Sequence, residues 1–221
     1  MAAKLIKAFY LRSDVVNISR ELLGKVLCAK TNGALTKIII TETEAYAGVT
    51  DRASHAYGGK RTKRTEVIFG EGGTAYVYLC YGIHHLFNVV TNKAGTPHAV
   101  LIRAGIPMMG TELMLKRRNK AKVDKTLLAG PGSLAKALGI TTDHTGASLL
   151  DGQIWIEDRG IEIDDDSVLV PPGDPPALPG RHSKFDSSRN LIATPKREPP
   201  SNTLRRNYET SRQFKSQPLG V

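Results

Sequence analysis

The chain has 221 residues, 40% of them apolar, enough for one sizeable core or for a core with a loose extension. Lys and Arg number 31 against 21 Asp and Glu, for a net charge of +10 and a pI near 9.7; that excess suits a polyanionic partner such as nucleic acid or an anionic membrane face, or serves solubility alone. Two cysteines with no CxxC spacing argue against a disulfide scaffold, no apolar run approaches the ~20 residues of a membrane helix, and no apolar leader follows the first residues, so an intracellular protein is expected, cytoplasmic in a bacterium and nuclear in a eukaryote.

In chain order, Ser13 or Asp14 can cap a helix over Val15 to Leu23, with Gly24 placed to end it. Lys25 to Lys30 reads as a strand, and Asn32-Gly33 followed by Ala34 to Tyr46 is a strong hairpin signal, because a type I′ turn needs positive φ at both central residues. The return strand contains Lys37-Ile-Ile-Ile-Thr-Glu-Thr-Glu-Ala-Tyr46, in which three β-branched aliphatics deliver two carboxylates and an aromatic. Glu42 and Glu44 lie two apart, so an extended chain projects them from one face, roughly 6 to 7 Å apart. Spacing alone does not choose between them.

Gly48 to Gly73 is polar and glycine-rich and reads as an ordered functional loop. It carries Asp51-Arg-Ala-Ser-His55 and the basic cluster Lys60, Arg61, Lys63 and Arg64, whose place just after the acidic edge favours phosphate contact over a plain solvated patch. Thr74 to Val90 implies two strands turning at Tyr81-Gly82. Tyr76 and Tyr78 then share a face, where sheet packing explains them as well as function does, while Tyr81 at the tip is poorly placed for a core and should meet solvent or a ligand. Ala99 to Ala104 is an apolar strand whose Arg103 needs an acidic partner or a bound anion. Met109 to Lys125 reads as a helix with a basic C-terminal half, and Ala129-Gly-Pro-Gly-Ser133 leads into a short helix over Leu134 to Leu138. Gln153 to Ile163 suggests a last strand pair with Trp155 in the core. The final 58 residues hold nine of the twelve prolines and little periodicity, so one folded domain over residues 1–163 is expected, followed by a Pro-rich tail, 164–221, that is mostly disordered or loosely draped.

Six histidines lack an HExxH helix or a thiolate pair, and there is no P-loop, strand-linked GxGxxG or GxSxG, which removes the usual supports for metal, nucleotide-hydrolysing, hydride-transfer and serine-hydrolase chemistry. What remains is a carboxylate edge, tyrosines, histidines, one strand arginine and basic surface. Aromatic planes stack on bases, cations hold phosphates and a carboxylate activates water: together these fit an enzyme that extrudes a nucleotide and attacks its glycosidic bond.

Over Glu42-Thr-Glu-Ala-Tyr46, Ala53-Ser-His-Ala56, Ala75-Tyr-Val-Tyr-Leu-Cys-Tyr-Gly82, Asn88-Val-Val and Leu101-Ile-Arg-Ala104, the sequence closely resembles the 3-methyladenine (alkyladenine) DNA glycosylase family. The similarity runs from about Ala8 to Ile163. It implies a single α/β domain with a curved, mainly antiparallel sheet, flanking helices and a protruding β-hairpin, acting as a monomer on double-stranded DNA containing alkylated purines, with no cofactor, metal or membrane. It further implies Glu44 as the base that activates water and Arg103 as the residue holding that water and a nearby phosphate. Tyr46, His55, Tyr78 and Asn88 would form the base pocket, Tyr81 would intercalate, and Glu42 would be structural. The family's glycine-containing segment and Pro-Trp-Arg-Phe-like strand are not recognisable after Asp164. Two other readings stay open: a damaged-base or DNA-binding protein that has lost catalysis through its tail, and an inverting carbohydrate hydrolase using Glu42 and Glu44.

Overall fold

The computed structural model describes residues 2–163, Val168 and residues 190–192. In chain order its regular elements are β1 (Ala3–Lys4), α1 (Lys7–Tyr10), α2 (Val15–Leu22), β2 (Val26–Thr31), β3 (Ala34–Tyr46), β4 (Thr74–Cys80), β5 (His84–Thr91), β6 (His98–Met109), α3 (Thr111–Arg118), α4 (Pro131–Leu138), β7 (Ile154–Asp158) and β8 (Asn190–Ile192). The strands form one sheet in the order β1-β7-β2-β3-β6-β5-β4, every pairing antiparallel, and β8 joins β3 outside that path. This is the mixed α/β architecture expected from the sequence.

Local chemistry sets the first elements. The Asp14 carboxylate accepts from the Asn17 N–H at 3.0 Å and caps α2. Asn32 and Gly33, at φ 51° and 75°, turn β2 into β3, and Tyr81 and Gly82, at 51° and 73°, turn β4 into β5. One face of the sheet buries Ile38, Ile40, Phe87 and Ile102 with Ile18, Met114 and Leu134 from the helices. A smaller cluster of Val26, Cys28, Ile39 and Ile106 forms separately. Trp155 is only half-buried there, against expectation, with the Lys4 ammonium 4.8 Å from its ring centre and its indole N–H donating to Glu157 at 2.9 Å.

Three expected boundaries shift. β6 runs on past Ala104 through Pro107 to Met109, because β5 pairs only with its first part, His98 to Leu101. Beyond Leu101 one side of β6 is an edge, where a proline removes no ladder bond. The basic helix is consequently shorter than Met109 to Lys125: α3 begins at Thr111, and left-handed Asn119 ends it before Lys120, Lys122 and Lys125. Arg117 and Arg118 are drawn inward, donating to the carbonyls of Ala137 and Leu127, each at 3.2 Å. Gln153 to Ile163 supplies one strand, β7, lying between β1 and β2, rather than a strand pair.

The Pro-rich stretch Val170 to Pro179 lies outside the described residues. Within the expected tail, β8 aligns Ile192, Leu191 and Asn190 with Glu42, Thr43 and Glu44, along the stretch of β3 that β2 has left. Leu191 is 4% exposed and belongs to the main core. Leu191→Ala should therefore lower stability by about 2 to 4 kcal/mol, as leucine truncations in cores do. A denaturant midpoint unchanged by the substitution would show that β8 is not packed. Among the described residues, no helix is long and apolar enough to cross a membrane.

Candidate active site

The pairing of the sheet gathers the site. Tyr76 on β4, Asn88 on β5, Leu101 on β6 and Glu44 on β3 stand opposite one another in a single row. Tyr46 lies two residues beyond Glu44 on the same face. Two irregularities interrupt β3 and β6 beside this row. The register passes from Ile40↔Gly105 to Glu42↔Ala104, leaving Thr41 unpaired, and from there to Thr43↔Ile102, leaving Arg103 unpaired. Such bulges re-aim side chains, and here Arg103 is held between two carboxylates instead of facing one. Its Nε donates to Glu42 Oε1 at 2.8 Å and its Nη1 to Glu44 Oε2 at 2.5 Å.

Glu44 is 3% exposed. Burial raises its carboxyl pKa above the ordinary 4.5, while the Arg103 charge and hydrogen bonds from Tyr46 and Arg103 pull it back. Burial opposes the charge on Arg103 as well, but its two carboxylate partners outweigh that effect and raise its pKa. The Tyr46 phenol is pushed far up, first by burial and then by the adjacent Glu44. The result is a carboxylate with one oxygen fixed by a guanidinium, at the edge of an aromatic cleft.

That cleft is lined by Tyr46, Ala53, Ser54, His55, Ile68, Tyr76, Tyr78, Asn88 and Ala99, with about 290 Å³ of open space. The cleft is open to solvent along one side and lined in large part by aromatic side chains. The His55 and Tyr78 ring centres stand 4.5 Å apart in an edge-to-face arrangement, and His55 Nδ1 shares a 2.8 Å hydrogen bond with the Tyr76 hydroxyl. Asn88 is 2% exposed, and its amide group donates to the carbonyls of Tyr76 and Leu86 at 3.2 and 3.3 Å, which fixes its orientation at the cleft. The structure thus brings Glu44, Tyr46, His55, Tyr78, Asn88 and Arg103 together.

Tyr81 stands apart at the hairpin tip, 91% exposed in the left-handed region, a conformation that costs a non-glycine residue roughly 1 kcal/mol. Lys60, Arg61, Lys63 and Arg64 are exposed. Arg61 is already engaged, donating in a fork to Glu66 at 2.7 and 2.6 Å while lying 4.9 Å from the Phe69 ring centre, so the expected cationic cluster is partly neutralised.

Sequence reasoning left Tyr76 open between sheet packing and function and gave Asp51 no role, yet both build this site. Tyr76 lines the cleft and orients His55. Asp51, 2% exposed, accepts from the Ala47 and Ala53 N–H groups, both at 2.9 Å, and so fixes the turn between Tyr46 and His55. An aspartate inside a glycine-rich loop was a usable signal for Asp51; the Tyr76–His55 bond spans 21 residues and left none. Glu42, expected to be structural, shares the guanidinium that holds Glu44.

The model of the methylpurine-DNA glycosylase family matches residues 8–171. Relatives carrying the provisional name 3-methyladenine DNA glycosylase include a Chlamydia felis protein, 45% identical over 158 residues, 71% of this chain and 81% of the relative. A Bacillus cereus protein is 48% identical over 155 residues, 68% and 75% of the two chains, and a Desulfitobacterium hafniense protein 43% identical over 166 residues, 72% and 81%. The family match covers the whole aromatic cleft and stops short of β8, and with it the chain belongs to the methylpurine-DNA glycosylase family.

Proposed function

We propose that this protein is a monofunctional DNA glycosylase that, as a monomer, flips an alkylated purine out of duplex DNA and hydrolyses its N-glycosidic bond, leaving an abasic site. The observation that carries the proposal is the pairing of Glu44 with Arg103 at the rim of the aromatic cleft: a carboxyl group held by a guanidinium where a water can meet C1′ of an extruded nucleotide. In this reading Tyr46 stacks on one side of the base, His55 and Tyr78 close the other, and Asn88 forms the floor that rejects guanine's exocyclic amine. Arg103 holds the water and a nearby phosphate; Lys60, Lys63 and Arg64 meet phosphates further out. The functional unit is residues 1–163 together with β8.

Alkylation at a ring nitrogen makes the purine cationic, so it departs without first taking a proton. Glu44 then orients and deprotonates the attacking water as C1′ becomes electron-poor, and no lysine need form a covalent intermediate. The shared guanidinium counts against the carbohydrate-hydrolase reading, since that mechanism needs one neutral and one ionised carboxyl on opposite sides of a substrate. A pure binding protein would gain nothing from a desolvated carboxylate beside DNA phosphates.

Incubated with methylated duplex DNA, the full chain should liberate free alkylpurine and leave an unbroken, alkali-labile strand. A protein–DNA adduct trapped by borohydride would overturn the water mechanism. Tyr81→Ala should slow release from duplex DNA by roughly tenfold, the scale set by a lost stacking contact of about 1 to 3 kcal/mol. An unchanged duplex rate would remove Tyr81 from the flipping step.

A further inference from the structure

A second cleft lies on the other side of the hairpin from the aromatic one. By register, Tyr76, Tyr78 and Asn88 share one face of β4 and β5, while Phe87 on the opposite face packs in the core with Leu134 of α4. Where α4 meets the hairpin near its tip, Ile83, His84, His85, Arg118, Lys136 and Ile140 are among the residues bordering about 510 Å³ of space. Ile83 is 72% exposed, and Lys136 projects from the exposed side of α4. The surface is therefore an apolar floor beneath a cationic rim, beginning two residues beyond Tyr81.

This cleft is firmly built. A Cβ at Gly132 would come within 2.9 Å of the His84 ring, so the glycine lets the hairpin lie against the first turn of α4. The Thr142 N–H donates to His85 Nδ1 at 3.2 Å. The Thr145 hydroxyl donates to the Val77 carbonyl at 2.6 Å and accepts from the Val77 N–H at 3.1 Å, which fastens the outer edge of β4.

We infer that this second cleft receives the undamaged strand of the duplex, with Lys136 and Arg118 meeting its phosphates and Ile83 lying against the nucleotide left unpaired by flipping. The inference rests on the glycosylase reading. A wedge entering a duplex has one strand on each side. If the damaged strand delivers its base to the cleft of Tyr46 and Tyr78, the opposite strand passes the α4 side of the hairpin. A cationic rim is complementary to phosphate, and the cleft continues directly from the intercalating tip. Arg118 is half-buried and donates to the Leu127 and Thr126 carbonyls at 3.2 and 3.3 Å, which hold its guanidinium at the border of the cleft.

The test is Lys136→Glu, with Lys136→Gln to separate charge reversal from charge loss. Binding to a lesion-bearing duplex and to the same lesion in single-stranded DNA is measured alongside base release from each, and phosphate protection is mapped on both strands. Lys136→Glu should weaken duplex binding roughly tenfold, Lys136→Gln less, and both should flatten the salt dependence. Single-strand binding and release should stay within about twofold of the parent, and protection should fade on the undamaged strand alone. Equal losses on duplex and single strand, or protection fading on the lesion strand, would overturn the inference, as would an unchanged duplex affinity. If the parent protein releases no base from either substrate, the glycosylase reading fails, while the binding and protection measurements still decide where the undamaged strand lies.

Discussion

Glu44→Gln is expected to give a folded protein that binds alkylated duplex DNA and releases base at least about a thousandfold more slowly, within the range over which positioned general bases act. Glutamine fills the same volume and can still meet Arg103, whose Nε remains bonded to Glu42 at 2.8 Å. It cannot take a proton from water. Stability should move the other way. A carboxyl whose folded pKa lies above its unfolded value binds its proton more tightly when folded, so ionisation costs stability as the pH rises through and beyond the ordinary 4.5. The amide removes that cost, and the variant should melt no lower than the parent at pH 7. Substantial release by a well-folded Glu44→Gln protein would end the assignment of Glu44 as the base.

Arg103→Leu should harm both fold and chemistry. Arg103 is the cation shared by Glu42 and by a Glu44 side chain only 4% exposed, so its removal leaves two neighbouring carboxylates uncompensated. A loss of about 2 to 4 kcal/mol is expected at neutral pH, below that of a fully enclosed pair because Arg103 and Glu42 retain 24% and 20% exposure. Protonation removes the repulsion, so the deficit should shrink as the pH falls through the carboxylate range and widen again as it rises. Denaturant unfolding at pH 4 and pH 8 measures this directly, and a deficit of equal size at both would show that packing, not charge, is what Arg103 supplies. In kinetics, loss of the Arg103 charge lets burial raise the Glu44 pKa further. Base release at pH 7 should then fall by more than tenfold and recover partly in alkaline solution.

The sequence made the strand-and-turn logic of the site legible because that logic is local. Asn32-Gly33 and Tyr81-Gly82 specify their turns, Ile38 to Ile40 specify a buried strand, and period-two spacing carries the chain from Glu44 to Tyr46. The fork at Arg103 was not legible. It depends on Thr41 and Arg103 falling out of register, and a bulge is a compromise between two strands about sixty residues apart, as the bond from Arg103 to Glu42 across 61 positions illustrates. The same holds for β6, which runs on beyond the expected end at Ala104 through Pro107, where its tolerance of a proline depends on β5 having stopped at Leu101. It holds most for β8, where three residues inside a Pro-rich segment find a vacant edge of β3 that no local pattern announces. Glu42, expected to be structural, shares Arg103 with Glu44, a coupling that their common strand face alone did not reveal.

The most direct measurement of the central claim is the pH dependence of single-turnover base release from duplex DNA bearing a cationic alkylpurine, a leaving group that needs no protonation. The predicted rate rises with pH through one ionisation lying above the ordinary carboxylate value and then levels off, with that ionisation moved higher in Arg103→Leu and absent from any residual rate of Glu44→Gln. A rate that is flat across the carboxylate range, or that keeps the same ionisation after Glu44→Gln, would contradict water activation by Glu44.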